Sequence, residues 1–512
     1  MKKQLSTHPI FKSYQQDQQY FLPPSLEELI EKDHPVRVVN AVIDRIEIKE
    51  LKKKYKGGGT TSFHPLMLLK VLVYSYLNNI YSSRKIEAGL KENIHFMWLS
   101  GMNKPDHNTI NRFRSERLKD VIKEIFIEIV KLLIESGHVS LKEIYTDGTK
   151  IEANANKYTF VWGKAIKTNL KKMESQLKEL WSYAEKITEK EIEDKEEINF
   201  ESIDPEKIER TIDKINEAVK GKEIPKKIKQ KLSYVTKKWP SQIKKYNEQE
   251  QILGQRNSYS KTDTDATFMR MKEDHMLNGQ LKPGYNLQIS TNEQIIVNYS
   301  IHQSPTDTTT LKSHIESFVE SYKETPKVLV ADAGYGSEEN YEVLEKHNIE
   351  AYVKYNSFDK EQRKKDKVDN FTVDNLYYNK EKDCFYCPMG QKMNRIGEYK
   401  KENKNGYTQE IKVYQAQRCE GCPIRGVCHK QEGNRIIQVN LKLREYKEKI
   451  REKLLSEDGI KYRKKRPVDV EPVFGNIKYN KKFKRFNLRG IKKVDLETGL
   501  IAIAHNLSKI AA

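Results

Sequence analysis

The sequence predicts a mixed α+β protein, in which a mixed sheet with flanking helices follows an all-helical amino-terminal segment. Apolar residues recur at three- and four-residue steps through the first quarter of the chain, as in amphipathic helices. Farther along, short apolar runs of strand character alternate with helical stretches, an order that favours a sheet covered by helices. Two stretches fit neither pattern, because one is rich in Lys and Glu and the other contains every cysteine. We therefore expect the sheet domain to carry two insertions.

Length and charge limit the class of protein. With 512 residues and 37% hydrophobic content, the chain is long enough for several domains. Its 93 Lys and Arg residues against 73 Asp and Glu residues give a net charge of +20, which favours a polyanionic partner such as DNA, RNA or an anionic membrane. The membrane is disfavoured, because the most apolar stretches, Leu66–Leu77 and Ile125–Ile134, are short and interrupted. Met1–Ser13 lacks the features of a secretory signal, so we expect a cytoplasmic location.

Residues 1–137 are predicted to form a helical DNA-binding domain. Within it, Pro105–Arg114 has the pattern of a turn followed by a helix with polar and basic residues, and Asp106 or Asn108 is available as its cap. This pattern resembles a recognition helix presented to DNA. The side chains expected to contact DNA from it are His107, Asn108, Arg112 and Arg114.

The sheet domain is predicted to begin at residue 138 and to be divided into three parts. In the first part, residues 138–163, two strands are expected to form a hairpin around Asp147-Gly148. The second part is residues 259–356 and the third is residues 441–512. The elements expected in the second part are the paired strands Tyr285–Ile289 and Gln294–Ile301, the helix Thr309–Tyr322, the strand Lys327–Ala331, the helix Glu338–His347 and the strand Ile349–Tyr355.

The first predicted insertion, residues 164–258, is Lys/Glu-rich with Leu and Ile at helical spacing. It is interpreted as a long helical segment or helical hairpin. Its role stays open between a dimer arm and a lysine-rich decoration.

The second predicted insertion, residues 357–440, contains two CxxC pairs and one further thiol. Such spacing in a cytosolic protein is typical of a tetrahedral structural zinc site, with redox chemistry as the weaker alternative. The spacing does not decide which four thiols bind zinc, or whether His429 replaces one. The candidate ligands are Cys384, Cys387, Cys419, Cys422 and Cys428.

Three carboxylates stand where predicted elements meet Gly- or Pro-marked breaks. Alone, Asp147 is more typical of an ordinary Asp-Gly turn, and Asp332 follows a buried strand at an edge where open sheets bind ligands. Glu471 precedes a proline, which places it at the first turn of a helix, where a carboxylate is also good helix electrostatics. Together they predict a site for divalent cations, because such ions prefer oxygen ligands and bridge them to phosphate. A ribonuclease-H-like core brings carboxylates from such elements together.

The motifs around these residues resemble those of bacterial insertion-sequence transposases of the DDE type. They are Thr146-Asp-Gly-Thr149, Val330-Ala-Asp-Ala-Gly-Tyr-Gly336 and Val470-Glu-Pro-Val-Phe-Gly-Asn-Ile-Lys478. The amino-terminal motifs Ser82–Glu87, Trp98–Gly101 and Pro105–Arg114 also resemble the helical domain that precedes the catalytic core in that family.

The resemblance implies that Asp147, Asp332 and Glu471 jointly hold two Mg²⁺ ions, for which Mn²⁺ may substitute. It implies DNA partners, namely the terminal inverted repeats of an element and a target DNA, bound by a homodimer in a bacterial cytoplasm. Tyr462, Arg466 and Lys478 are the closest residues to the family's Tyr–Arg–Glu–Lys signature, although the Tyr–Arg–Glu spacing is wider than the common form.

Other residues were weighed beside these motifs. Asp263 and Asp265 lie upstream of the resumed sheet and are more typical of structural residues than of metal ligands, and Asp307 is expected to cap a helix, with a place at the site edge as the minor alternative. Lys482 and Arg485 belong to a basic stretch after Glu471 that is expected to contact DNA phosphates.

The sequence therefore predicts a DNA transposase that cleaves element ends and transfers the 3′-hydroxyl to target DNA. Two alternatives stay open: a catalytically inactive DNA-binding regulator or domesticated relative, and a metal-dependent nuclease without strand transfer. The presence of all three carboxylates argues against a protein that has lost its catalytic activity.

Overall fold

The computed structural model describes residues 24–55, 62–188, 205–271, 279–363, 370–403 and 405–511. The segment Met1–Ser13, on which the absence of a secretory signal was argued, lies outside these residues. No helix in the described ranges is long and apolar enough to cross a membrane.

Short helices build the amino-terminal part of the described chain. They are α1 Pro35–Asp44, α2 Lys49–Lys53, α3 Pro65–Leu77, α4 Ser83–Glu92, α5 Ile94–Leu99, α6 His107–Arg112 and α7 Ile122–Glu135. A π-helical turn, Phe113–Arg117, continues α6. Asp106 is the cap of α6, since its side chain accepts a hydrogen bond from the Thr109 amide at 2.8 Å. The predicted turn and helix are therefore confirmed, although the helix is short.

A six-stranded mixed sheet forms the centre of the molecule, in the order β4-β5-β1-β7-β8, with β6 also paired to β5. Strands β1, β7 and β8 run parallel, whereas β4, β5 and β6 join by antiparallel pairing. The strands are β1 Glu143–Glu152, β4 Thr267–Arg270, β5 Leu281–Asn292, β6 Ile295–His302, β7 Val328–Ala331 and β8 Glu350–Val353. The fold is therefore a ribonuclease-H-like mixed sheet with flanking helices, as the sequence predicted.

The predicted hairpin around Asp147 is wrong. Strand β1 runs straight through Asp147-Gly148, because these two residues pair with β5 without interruption in a ladder that extends from Tyr145 opposite Thr291 to Glu152 opposite Gly284. The β5–β6 hairpin is confirmed, and its two-residue turn is Glu293-Gln294, both with positive φ (53° and 63°), as hairpin turns of type I′ require.

Helices cover both the sheet and the amino-terminal bundle. Those that follow in the sequence are α11 Leu311–Tyr322, α12 Glu338–Lys346, α13 Phe358–Glu361, α15 Leu441–Leu455, α16 Glu457–Asp469, α17 Glu471–Gly475 and α18 Ile491–Ile510. Helix α18 packs against α3 and α7 on one side and β6 on the other. The apolar core is consequently continuous from the amino-terminal helices through the sheet.

The first insertion has its own hydrophobic core. Its helices are α8 Gly163–Thr188, α9 Pro205–Ala218 and α10 Lys226–Leu253, and Trp239, Ile243 and Leu177 are buried between them. A two-stranded ribbon, β2 Phe160–Trp162 paired with β3 Ser258–Ser260, joins it to the sheet domain. Because the entering and leaving strands pair, the sheet can continue as if the insertion were absent.

The second insertion is a small antiparallel sheet, in the order β13-β12-β11-β10-β9. The strands are β9 Tyr378–Asn379, β10 Cys384–Tyr386, β11 Lys392–Glu402, β12 Thr408–Ala416 and β13 Ile436–Val439, with the short helix α14 Arg425–Cys428 between β12 and β13. Phe385, Met393 and Tyr414 are fully buried within it. The second insertion therefore has a small hydrophobic core of its own.

Candidate active site

Two of the three carboxylates lie on neighbouring parallel strands. Thr146 of β1 pairs with Ala331 of β7, so the next residues, Asp147 and Asp332, occupy adjacent positions at the same edge. Asp147 is 6% exposed, and its Oδ1 accepts a hydrogen bond from the Gly148 amide at 2.8 Å. Asp332 directly follows β7, and its Oδ1 accepts a hydrogen bond from the Gly334 amide at 2.9 Å. Strand pairing alone thus places two carboxylates side by side.

Glu471 approaches the same point from the helical side. It is the first residue of α17, directly after the break at Val470 that ends α16, and Pro472 follows within the first helical turn. This position confirms the predicted first-turn location and leaves the Glu471 side chain 57% exposed.

Arg466 of α16 joins the three carboxylates. Its Nη2 lies 3.2 Å from Asp147 Oδ2 and 3.7 Å from Asp332 Oδ2, and its Nη1 lies 3.4 Å from Glu471 Oε1. One guanidinium therefore contacts a carboxylate from β1, from the end of β7 and from α17. The structure brings together all three predicted acidic residues.

These oxygens suit a hard divalent cation by their chemistry, since Mg²⁺ and Mn²⁺ prefer carboxylate ligands. In the described part of the chain, no three His, Cys, Asp or Glu side chains are close enough to bind one metal ion together. At this site the Arg466 guanidinium lies between the carboxylates.

A buried polar layer, which the sequence analysis missed, supports the two aspartates. Asp307 Oδ1 accepts hydrogen bonds from Asn286 Nδ2 at 2.8 Å and from Gln288 Nε2 at 2.9 Å. Gln288 also accepts a hydrogen bond from the Tyr335 hydroxyl. A Cβ on Gly148 would lie 2.2 Å from Gln288 Nε2 and 2.7 Å from Asp307 Oδ1. Asp307 thus lies at the edge of the site, which was the minor alternative for it.

The sequence shows only the alternation of polar and apolar residues in this layer, and the burial of both faces is known from the structure alone. Tyr285, Leu287 and Ile289 alternate with Asn286 and Gln288 along β5, and all five are at most 1% exposed. Polar residues at every second position of a strand whose two faces are both buried indicate a polar network inside the protein.

Asp263 and Asp265 anchor the start of α18 instead of joining the site. Both Asp263 carboxylate oxygens accept from the Tyr285 hydroxyl at 3.0 Å, and Oδ1 also accepts from the Gly490 amide at 3.2 Å. Asp265 Oδ2 accepts from the Ile491 amide at 2.9 Å. Burial raises the pKa of Asp263.

The residues proposed for DNA contact near Glu471 differ in exposure. Tyr462 is half-buried, with its hydroxyl 3.3 Å from Glu143 Oε1, and Lys478 is buried in the π-helical turn after α17. Lys482 is exposed. Arg485 is also exposed, but its guanidinium donates to the carbonyls of Ala153 and Ala155, both at 3.2 Å.

On α6, Asn108 and Arg112 are exposed and His107 is half-buried, with Nδ1 2.7 Å from Glu87 Oε2. Arg114 is 4% exposed, and its Nη1 donates to the Tyr81 carbonyl at 2.7 Å. A direct DNA contact from Arg114 would therefore require this hydrogen bond to break.

Four of the five free thiols surround one small cavity. Cys387, Cys419, Cys422 and Cys428 line a space of about 20 Å³, together with His429 and Arg435. The backbone amide of Arg435 donates a hydrogen bond to Cys419 Sγ at 3.3 Å. The Arg435 side chain donates another from Nη1 to Cys428 Sγ at 3.1 Å. Cys384 is fully buried in β10 and does not line this cavity.

A ribonuclease-H-like fold with carboxylates on β1, directly after β7 and at the start of α17 is compatible with an enzyme that acts on nucleic acid. Matches to two family models support an insertion-sequence transposase of the DDE type. A family model described as a transposase DDE domain matches residues 386–511, and one described as a transposase domain matches residues 24–116. No significant match is found among curated proteins or among solved structures.

The match over residues 386–511 includes Arg466 and Glu471, whereas Asp147 and Asp332 lie outside both matched ranges. The two matched domains support a DNA transposase in general, and DDE transposases generally use divalent metal ions.

Proposed function

We propose that this transposase cleaves DNA at the ends of its element and transfers the resulting 3′-hydroxyl to target DNA, with Asp147, Asp332 and Glu471 as metal ligands. The convergence of these three carboxylates on one guanidinium carries the proposal. Carboxylates that share one guanidinium need a positive partner, and divalent cations, which also bind DNA phosphates, would supply one.

When bound, two divalent cations would lower the pKa of an attacking water or DNA 3′-hydroxyl and stabilise charge on the departing oxygen. The contribution of the protein itself is to hold the carboxylates in position. Strand pairing fixes Asp147 beside Asp332, and the rigid polar layer of Asn286, Gln288 and Asp307 holds the backbone beneath them. Attack forms a new phosphorus–oxygen bond as the bond to the departing 3′ oxygen breaks, so no covalent enzyme intermediate is required.

The basic surface would hold the DNA. Lys482 is exposed close after the Glu471 helix, and Asn108 and Arg112 are exposed on α6. Phosphate contacts from lysine and arginine give affinity that falls as salt rises, whereas side chains on α6 are better placed to read base edges.

Asp332→Ala should abolish cleavage, because it removes one of the three carboxylates that would hold the divalent cations. The assay is cleavage of a DNA carrying the element's terminal repeats in Mg²⁺, with DNA binding measured in parallel by gel shift. Asp374→Ala is the matched control, since Asp374 is an exposed aspartate whose ion-pair partner is Lys447 of α15. Loss of at least about a thousandfold in rate is expected for Asp332→Ala alone, in line with removal of a main electrostatic group.

Other outcomes have clear meanings. Cleavage that survives Asp332→Ala would refute the assignment of the trio. Binding without cleavage by the unaltered protein would favour the DNA-binding regulator, and cleavage without joined product would favour the nuclease.

We also propose that the second insertion binds a structural zinc ion through Cys387, Cys419, Cys422 and Cys428. All four line one cavity, and Arg435 donates hydrogen bonds to two of the sulfur atoms. The four side chains would have to move closer together around the ion than they lie in the described structure. The proposal leaves Cys384 out.

Metal analysis of the purified protein tests this ligand set. We expect about one zinc ion per chain in the wild type and in Cys384→Ala, and loss of the ion in Cys422→Ala. A wild-type protein without zinc, or equal loss in both variants, would contradict it.

A further inference from the structure

Arg466 lies in an unusual setting for a cation expected to contact DNA. Its side chain is only 13% exposed and faces the acidic trio. All three of its carboxylate distances, 3.2, 3.4 and 3.7 Å, exceed the roughly 2.7–2.9 Å of a strong charge-assisted hydrogen bond. The guanidinium is therefore shared among three anions and not locked to one of them.

The rest of the Arg466 side chain is poorly satisfied. Within the described residues its Nε is buried with no hydrogen-bond partner. An unsatisfied buried donor is unfavourable, so this position is not the best one available to a guanidinium. A DNA phosphate, which accepts two parallel hydrogen bonds from arginine, would satisfy the group better.

The helix that carries Arg466 is loosened at this point. Pro467 lies inside α16 directly after Arg466, and α16 ends two residues later at Asp469. Proline lacks the N–H that would bond to the preceding helical turn, so the last turn of α16 has less backbone support. A small movement there would carry Arg466 out from between the carboxylates.

We infer that Arg466 is an internal counter-ion, which neutralises the acidic trio in the DNA-free protein and leaves it when divalent cations and a DNA phosphate arrive. This inference rests on the proposed function, because it takes the trio as the metal site. Arg466 then competes directly with metal for Asp147, Asp332 and Glu471. DNA favours metal binding by offering the guanidinium another partner, and by linkage metal favours DNA binding to the same degree.

The test measures Mn²⁺ affinity of the full-length, DNA-free protein from the spin-resonance signal of free Mn²⁺. Arg466→Gln should bind Mn²⁺ about tenfold more tightly than wild type, because a positive charge within 4 Å of every ligand is removed. Lys465→Gln is the matched control: it removes the same charge one residue earlier, where Lys465 pairs with Glu293 outside the trio. Its affinity should stay within about twofold of wild type, as expected for a partly exposed pair.

Adding a terminal-repeat DNA duplex gives the second readout. DNA should increase the Mn²⁺ affinity of both proteins, but by a larger factor in the wild type than in Arg466→Gln. The reason is that part of the coupling between DNA binding and Mn²⁺ binding passes through Arg466. If Arg466→Gln does not fold, by thermal melting, Arg466→Lys replaces it. A lysine point charge cannot face three carboxylates at once. We therefore expect the Mn²⁺ affinity of Arg466→Lys to lie between that of the wild type and that of a site with no positive charge at position 466.

Unchanged or weaker Mn²⁺ binding by Arg466→Gln would overturn the inference and leave Arg466 as a structural ion pair. If Asp332→Ala nevertheless abolishes cleavage, the proposed function stands without it. If Arg466→Gln gains affinity and a further Asp332→Asn does not remove that gain, the added metal binds elsewhere and the inference also fails.

Discussion

Gly148 shows how closely the residues around the acidic trio are packed. It lacks a side chain directly beside Asp147, where Gln288 and Asp307 approach the backbone from β5 and from the start of the next helical segment. Glycine is needed here because other side chains approach the backbone closely. Unusual torsion angles are not the reason, since the φ angle of Gly148 is not positive.

Gly148→Ala should therefore disturb the site without changing any charge. The added methyl would displace the Gln288 amide and its hydrogen bonds to Asp307 and Asn286, at a stability cost of about 1–3 kcal/mol. The midpoint of thermal unfolding should fall, and DNA cleavage should fall further, because Asp147 is the neighbouring residue.

Gly397→Ala is the control for Gly148→Ala. A Cβ at Gly397 in β11 meets no atom within 4 Å, so its melting midpoint should stay near that of wild type. A Gly148→Ala protein that melts and cleaves like the wild type would show that Gln288 yields without cost.

At the scale of elements, the sequence predicted the order of strands and helices well where the apolar period was clear. The β5–β6 hairpin, the strand before Asp332 and the helix that begins at Glu471 are all present. The hairpin at Asp147 failed because Asp-Gly is a strong turn signal, but pairing with β5 on one side and β7 on the other holds β1 extended.

What the sequence could not supply was contact between distant residues. Nothing in the spacing of Arg466 and Asp147 shows that they meet, since that contact depends on how α16 crosses the sheet. The polar layer of β5 was missed for a related reason: Asn286 and Gln288 alternate like the exposed face of a strand, and only the covering helices make that face buried.

The helical insertion has a hydrophobic core that is separate from the main core of the protein. Trp239→Ala should remove a large buried side chain from α10 and destabilise α8, α9 and α10 locally, by about 3–5 kcal/mol. Hydrogen exchange by mass spectrometry should show faster exchange in these helices, with little change in β1 and β7.

Phe126→Ala provides the comparison for Trp239→Ala. Phe126 is fully buried in the main core, against Tyr299 of β6, so its loss should speed exchange in the sheet instead. Equal effects of both variants on β1 would mean that the insertion and the sheet unfold as one unit.

At the scale of the whole molecule, the described amino-terminal helices pack against α18 near the other end of the described chain. Tyr76 of α3 donates to the buried Glu497 of α18 at 3.0 Å, and Glu497 also accepts from the amides of Asn487 and Leu488 at 2.7 and 2.8 Å. The two ranges matched by transposase family models, residues 24–116 and 386–511, thus meet in space although 269 residues separate them.

This packing predicts that the catalytic part cannot be isolated by removing the amino-terminal helices. A fragment of residues 138–512 would expose the faces of α18 that α3 and α7 cover and would leave Glu497 without its Tyr76 partner. A buried anion that loses a hydrogen-bond donor is unfavourable, and so is a large apolar face left uncovered. We therefore expect the fragment to form a compact state without fixed packing. The fragment should bind the dye ANS and show weak near-ultraviolet circular dichroism, whereas the full chain should unfold cooperatively under the same conditions. A fragment that melts cooperatively with a near-ultraviolet signal like that of the full chain would show that the sheet and α18 are stable alone, and that the amino-terminal helices act only on DNA.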